Sequence, residues 1–211
     1  MSESQAKTGT TTVAIVCKDG VVLAADKRVT AGYVVNKKYR KIVQVTDRIA
    51  VTVAGTVSDV QLLSRLLKAE LKLKDIQTGR VSSVRESANL LAGMVYNNFR
   101  KFSVIPGITG FLLAGMDEQG FHCFEIGIDG SVMEIDEYTS DGSGSVFALG
   151  VFETMYKKGL QIEDGIKLAG KAINAAIQRD TASGNGIDIL TITADGAKFV
   201  LEKELSTKLE I

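Results

Sequence analysis

The sequence predicts an α+β fold, a four-layer αββα sandwich of two antiparallel sheets flanked by helix pairs. Three observations carry that prediction. Short β-rich runs are joined by hairpin signals such as Lys18-Asp19-Gly20 and Ala194-Asp195-Gly196. Two blocks with helical periodicity each contain a tandem pair. The order along the chain is strands, two helices, strands, two helices, strands, and segregated runs of this kind layer helices on antiparallel sheets rather than building alternating βαβ units.

The elements follow in order. Thr11 to Cys17 and Val21 to Asp26 are strands joined by the "KDG" turn. Lys41 to Val45 and Ile49 to Ala54 form a second pair. From Ser58, Val60, Leu63, Leu66, Leu67, Leu71 and Leu73 recur near helical spacing, with Lys68, Glu70, Lys72 and Lys74 on the other face and Gly79 as the stop. Ser83-Val84-Arg85-Glu86 is a capping-box pattern that opens a helix towards Phe99. Strands return at Gly110–Gly115, Phe121–Ile128 and Ser131–Ile135. "SDGSGS" (140–145) leads into a helix over Phe147–Lys157, another spans Ile162–Gln178, and Ile187–Thr193 with Lys198–Leu201 closes the chain.

Composition narrows the function classes. The 211 residues suffice for one domain with a large core. Lys+Arg and Asp+Glu both number 25, so the formal charge is zero, which argues against a nucleic-acid or anionic-membrane binder. Two cysteines, Cys17 and Cys123, do not make a disulfide framework and point to a reducing compartment. The start "MSESQAKTG" lacks the basic and apolar regions of a secretory signal, and no apolar run approaches the ~20 residues of a membrane span. A cytoplasmic protein is the expectation.

The usual sources of catalytic power are absent. His122, the single histidine, lies on a strand and fits a half-buried structural role. With no second histidine and no CxxC, a zinc site has little support. No phosphate-binding glycine motif is present. A base can instead come from a chain end, because an α-amino group titrates near ~8, well below a lysine near ~10.4. A threonine that is itself the N-terminus carries nucleophile and base in one residue. Thr10, in "KTGTTTVAIV", qualifies once residues 1–9 are removed, and Gly9 gives the backbone freedom to bend its carbonyl towards Thr10 Oγ1. On those residues alone, a plain β-strand after a frayed tail is the simpler account.

Six blocks alter that balance: "GTTTV" (9–13), "AADKRVT" (24–30), "KIVQV" (41–45), "VAGTVSDVQ" (53–61), "DGSGSVFALGV" (141–151) and "RDTASGNGID" (179–188). In this order and spacing the chain, from about residue 9 to 205, resembles the β-subunit family of the archaeal 20S proteasome, threonine proteases with the N-terminal-nucleophile (Ntn) hydrolase fold. The resemblance implies a leader at 1–9, cut by self-cleavage between Gly9 and Thr10, and one catalytic domain over 10–211. It implies Thr10 as nucleophile with its freed amine as proton acceptor, Lys41 as the catalytic lysine and Asp26 as its paired acid. Gly55 becomes an oxyanion donor. Ser143, Asp180 and Ser183 support the threonine. Thr30, Gly55 and Val57 bind an extended peptide, and Val29, Val53 and Val57 line an uncharged pocket that favours hydrophobic residues before the cut bond. Each position also has an ordinary role: a strand-end ion pair for Asp26 and Lys41, a turn glycine for Gly55, a helix N-cap loop for Ser143, and a helix C-terminal loop for Asp180 and Ser183.

The family assembly implied is a homo- or hetero-heptameric β ring stacked on α rings, fed unfolded polypeptide by a regulatory ATPase, with no cofactor or metal. The principal alternative is a non-catalytic or poorly self-processing structural β subunit of a mixed ring. A shorter bacterial two-ring relative and a small-molecule amide hydrolase of the same nucleophile class are further alternatives. The α-ring partner is disfavoured, because it carries an N-terminal helix in place of "GTTTV".

Overall fold

The computed structural model describes residues 9–104 and 106–205. Five strands form one antiparallel sheet in the order β10 (Tyr138–Asp141), β1 (Thr12–Cys17), β2 (Gly20–Asp26), β11 (Gly186–Thr193) and β12 (Gly196–Glu204). A second has the order β5 (Ile42–Gln44), β6 (Ile49–Gly55), β7 (Thr109–Asp117), β8 (Gly120–Ile126) and β9 (Val132–Glu134). Helices α1 (Val57–Thr78) and α2 (Val84–Arg100) cover the second sheet; α3 (Ser145–Met155) and α4 (Ile162–Arg179) cover the first. The layering is the expected αββα sandwich.

Alternation along the strands explains the three cores. On β2, Val22 and Ala24 face α3 and α4, while Val21, Leu23 and Ala25 face the other sheet. The inter-sheet layer is rich in small side chains, among them Ala14, Ala25, Ala50 and Ala114. Against α1 and α2 the layer is bulkier, built on Phe111, Leu113, Phe124, Leu67 and Leu91. Strands β1 and β2 are buried nearly end to end, because helices cover one face and the second sheet the other.

The expected helix signals hold. Gly79 caps α1 in the left-handed region at φ +68°, and its N–H donates to Asp75 O. Ser83 Oγ accepts from Glu86 N while the Glu86 carboxylate accepts from Ser83 N, completing the capping box of α2. Leu66 and Leu73, grouped with the apolar stripe of α1, stay exposed, since the buried stripe is narrower.

Some boundaries and elements differ from the reading. Helix α3 starts two residues earlier than expected, with Gly144 rather than Ser143 at its N-cap. The two-stranded ribbon β3 (Val29–Thr30) and β4 (Val34–Asn36) was not anticipated; β4 is wholly exposed, so no buried face imposes alternation. Strand β10, also unanticipated, is four residues long and pairs with β1 as an edge strand from Thr12↔Asp141 to Ile15↔Tyr138. Burial pushes the thiols of Cys17 and Cys123 up to about 12, so neither offers a thiolate near neutral pH.

The Arg80 guanidinium and the Ser83 amide hold the Glu86 carboxyl well below its usual range. Its contribution is present above the unfolded carboxylate range and is lost as pH falls through the lower folded value. Ser83→Ala is expected to destabilise the protein by about 0.5–2 kcal/mol in chemical denaturation at pH 7. Wild type is expected to exceed Glu86→Gln in stability at pH 7, and the gap to close progressively in acid.

Candidate functional site

Thr10 lies just ahead of β1, between the ends of β2, β5 and β6 and the loop after α4. It is buried, and its Oγ1 donates to Gly9 O at 2.8 Å. Gly9 N donates to Thr30 Oγ1 at 3.1 Å. Lys41 Nζ donates to the same Gly9 O at 3.3 Å. A hydroxyl and an ammonium therefore converge on the carbonyl of the Gly9–Thr10 peptide.

Lys41 and Asp26 form an ion pair of 2.7 Å with side chains 2% and 0% exposed, so the surface strand-end pair weighed from the sequence does not describe it. Burial lowers the Lys41 pKa, and the Asp26 carboxylate works against that shift. Asp26 is satisfied on every side. Its Oδ1 accepts from Thr11 N at 2.9 Å and Lys41 Nζ at 2.7 Å; its Oδ2 accepts from Arg28 N and Gly184 N, both at 2.9 Å. Four donors fill the acceptor capacity of a carboxylate.

A second set lies behind the threonine backbone. Thr10 N donates to Ser143 Oγ at 3.2 Å, and Ser143 Oγ donates to Asp180 Oδ2 at 2.7 Å. The same oxygen accepts from Ser183 Oγ at 2.6 Å, and Ser183 Oγ lies 2.6 Å from Thr11 Oγ1. Ser143, Asp180 and Ser183 therefore reach Thr10 and Thr11 as one network, although more than 30 residues separate the first from the others.

On the other side a small pocket opens, lined by Gly9, Thr10, Val29, Lys41, Val53, Gly55 and Val57, with Tyr39, Ala54 and Val60. Of the five predicted substrate-binding residues, Val29, Val53, Gly55 and Val57 line it, and Thr30 instead holds Gly9 through its side chain. Gly55 has φ +112°, and a Cβ there would meet Ile108 O at 2.1 Å, so both torsion and space require glycine. Tyr39, missed from the sequence, also borders a larger neighbouring pocket that includes Gln61 and Arg65.

Three more residues went unremarked. Thr11 links the serine–aspartate network to Asp26 through its amide. Arg28 ties the loop after α4 down, donating through Nη1 to Thr181 O and through Nε to Asn185 Oδ1, both at 2.8 Å. Ala182 packs against Gly9. His122 takes no part: it sits on β8 between Glu134 and Asp117. Among the described residues no group of three or more His, Cys, Asp or Glu is placed to hold a metal, and no helix is long and apolar enough to cross a membrane.

Comparison with known proteins identifies the family. A family model described as "Proteasome subunit" matches residues 6–192. The chain is 42% identical over 202 residues to the proteasome subunit beta of Archaeoglobus profundus, covering 95% of this chain and 92% of that one. It is 41% identical over 204 residues to the same subunit of Ferroglobus placidus, covering 96% and 95%. Against that of Nanoarchaeum equitans it is 41% identical over 198 residues, covering 92% and 99%.

The asymmetry of the ion pair sets a test. Asp26→Ala strands a buried ammonium and is expected to cost about 3–5 kcal/mol in urea unfolding. Lys41→Met leaves a carboxylate still bonded to three backbone amides, and the loss is expected to be smaller, about 1–3 kcal/mol. Lys41 titrates in the fold below its unfolded value near ~10.4, so the unfolded chain binds the extra proton in that window and stability rises with pH there. In Asp26→Asn that rise is expected to begin at a lower pH than in wild type.

Proposed function

From the premise that the chain belongs to the proteasome subunit family, as a core β subunit, we propose that it is a self-processing threonine endopeptidase. Thr10 Oγ1 first attacks the Gly9 carbonyl carbon. The C–N bond of Gly9–Thr10 breaks as the C–O bond forms, and the hydroxyl proton ends on the freed Thr10 nitrogen. Water then hydrolyses the ester: residues 1–9 leave with a Gly9 carboxyl group, and Thr10 regains its hydroxyl.

The observation that carries this reading is the convergence of Thr10 Oγ1 and Lys41 Nζ on Gly9 O, at 2.8 and 3.3 Å, over a buried Asp26. A fixed cation beside that oxygen offsets the negative charge that develops on it during attack. In the processed chain the amine of Thr10 takes the Oγ1 proton as the hydroxyl adds to a substrate carbonyl. The Lys41 charge disfavours the ammonium form and so keeps the amine available as a base. Gly55 N–H is assigned to the substrate oxyanion. The departing peptide amine takes the proton, an acyl-enzyme forms on Oγ1, and water releases it. Ser143, with Asp180 and Ser183 behind it, holds the threonine nitrogen in place.

The valine-lined pocket suits a hydrophobic residue before the cut bond, and Thr30, Gly55 and Val57 flank an extended substrate. Assembly into a heptameric β ring, of one or two β types and stacked on α rings, is supported by the apolar stripe Leu62, Leu66, Leu73 and Ile76, which α1 leaves exposed. Unfolded polypeptide delivered through the α ring by a regulatory ATPase is the proposed substrate, the cytoplasm the proposed location, and no cofactor is required.

Intact mass measures the first step directly. Co-expressed with an archaeal α-ring subunit, the chain is expected to lose the mass of residues 1–9, and Thr10→Ala to retain it. The assembled particle is expected to cleave peptide amides with a hydrophobic residue before the bond faster than those with an acidic one, and Lys41→Ala to abolish cleavage. A fully assembled particle that keeps residues 1–9 would instead identify a structural ring subunit.

A further inference from the structure

We infer that the side chain of Ala182 restricts position 9 to glycine and thereby gates self-cleavage; this rests on the self-cleaving reading of the site. The sequence suggests that Gly9 is needed to bend. The structure adds a second constraint, because Gly9 is buried. That constraint is space. A Cβ built on Gly9 lies 1.7 Å from Ala182 Cβ and 2.9 Å from Ala182 Cα, with Ser143 Oγ at 3.0 Å. Carbon atoms in contact sit about 3.5–4.0 Å apart.

Neither partner can move aside cheaply. The alanine methyl has no alternative rotamer, and its loop is fixed at five points. Ala182 N donates to Asp180 Oδ1 at 3.1 Å and Ser183 N to Asp180 O at 3.2 Å. Gly184 N donates to Asp26 Oδ2, and Arg28 donates to Thr181 O and Asn185 Oδ1. Gly9 is held from the opposite side through Thr30 Oγ1, Thr10 Oγ1 and Lys41 Nζ. A methyl at position 9 must push Gly9 off these partners, and its carbonyl then leaves the reach of the hydroxyl and the ammonium. Ala182 thus excludes a side chain from position 9, so that only glycine leaves the scissile carbonyl on the partners that hold it.

Two measurements test this. The first follows the loss of residues 1–9 by intact mass in the co-assembled particle, for wild type, Gly9→Ala, Ala182→Gly and the double variant. Gly9→Ala is expected to slow cleavage about 10- to 100-fold, the cost of overpacking converted to a rate. Ala182→Gly alone still processes. The double variant recovers at least about tenfold over Gly9→Ala, but incompletely, because the Cα of residue 182 stays close. A double variant as slow as Gly9→Ala, or a Gly9→Ala chain that cleaves at the wild-type rate, overturns the inference.

The second measurement needs no cleavage. In a Thr10→Ala background, Gly9→Ala is expected to lower Tm by about 2–8 °C, and Ala182→Gly to recover part of that loss. Strictly additive Tm shifts overturn the inference. Coupled Tm shifts in a chain whose wild type retains residues 1–9 leave the Ala182 contact standing and overturn the self-cleavage reading instead.

Discussion

The site is organised around one buried carboxylate. Asp26 is fully excluded from solvent, and an isolated ion there would be unstable by several kcal/mol. Its four donors remove that penalty, and each arrives from a different part of the chain: the amide at the head of β1, the amide of Arg28 beyond β2, the amide of Gly184 after α4, and the ammonium at the start of β5. To satisfy Asp26 is therefore to place Thr11, the Gly184 loop and Lys41 at once. Thr10 follows from Thr11, and the Lys41 charge ends beside Gly9 O. A neutral residue at 26 would free all three segments together.

The sandwich makes this convergence possible. The two sheets pack face to face through a shared core that includes Ala14, Leu23, Ile42, Ala50 and Leu112, so the end of β2 in one sheet and the start of β5 in the other can both contribute to the site. The pocket beside Thr10 is walled by the end of β6 and the start of α1, where Gly55 turns strand into helix. The serine–aspartate network reaches the threonine from the opposite side, from the segments that precede α3 and follow α4. One face of Thr10 meets charge, one meets hydroxyls and one meets an apolar hollow. Under the proposed function, that division would separate activation, orientation and recognition among different elements.

What was legible in the sequence was local. The "KDG" and "ADG" hairpins, the capping box at Ser83 and the helix stop at Gly79 each depend on a few adjacent residues, and all are present. Edge elements were not legible: β10 is four residues cut short by a glycine-rich turn, and β4 has no buried face to impose alternation. The Asp26–Lys41 contact depends on tertiary packing between two sheets; the resemblance pointed to it, and spacing could not. Gly9 shows the opposite failure. Its glycine suggests flexibility, while its surroundings show a steric limit set by an alanine more than 170 residues away, a residue type with no motif to betray it.

The central claim is that the Lys41 cation is aimed at Thr10 and tunes its amine. It is tested most directly by titrating that amine in a chain that begins at Thr10, with threonine labelled with ¹⁵N and followed by NMR. The account predicts an α-amine pKa below the ordinary ~7.7–8.0, returning towards that range in Lys41→Met. An amine that titrates in the ordinary range and is unmoved by Lys41→Met would contradict it.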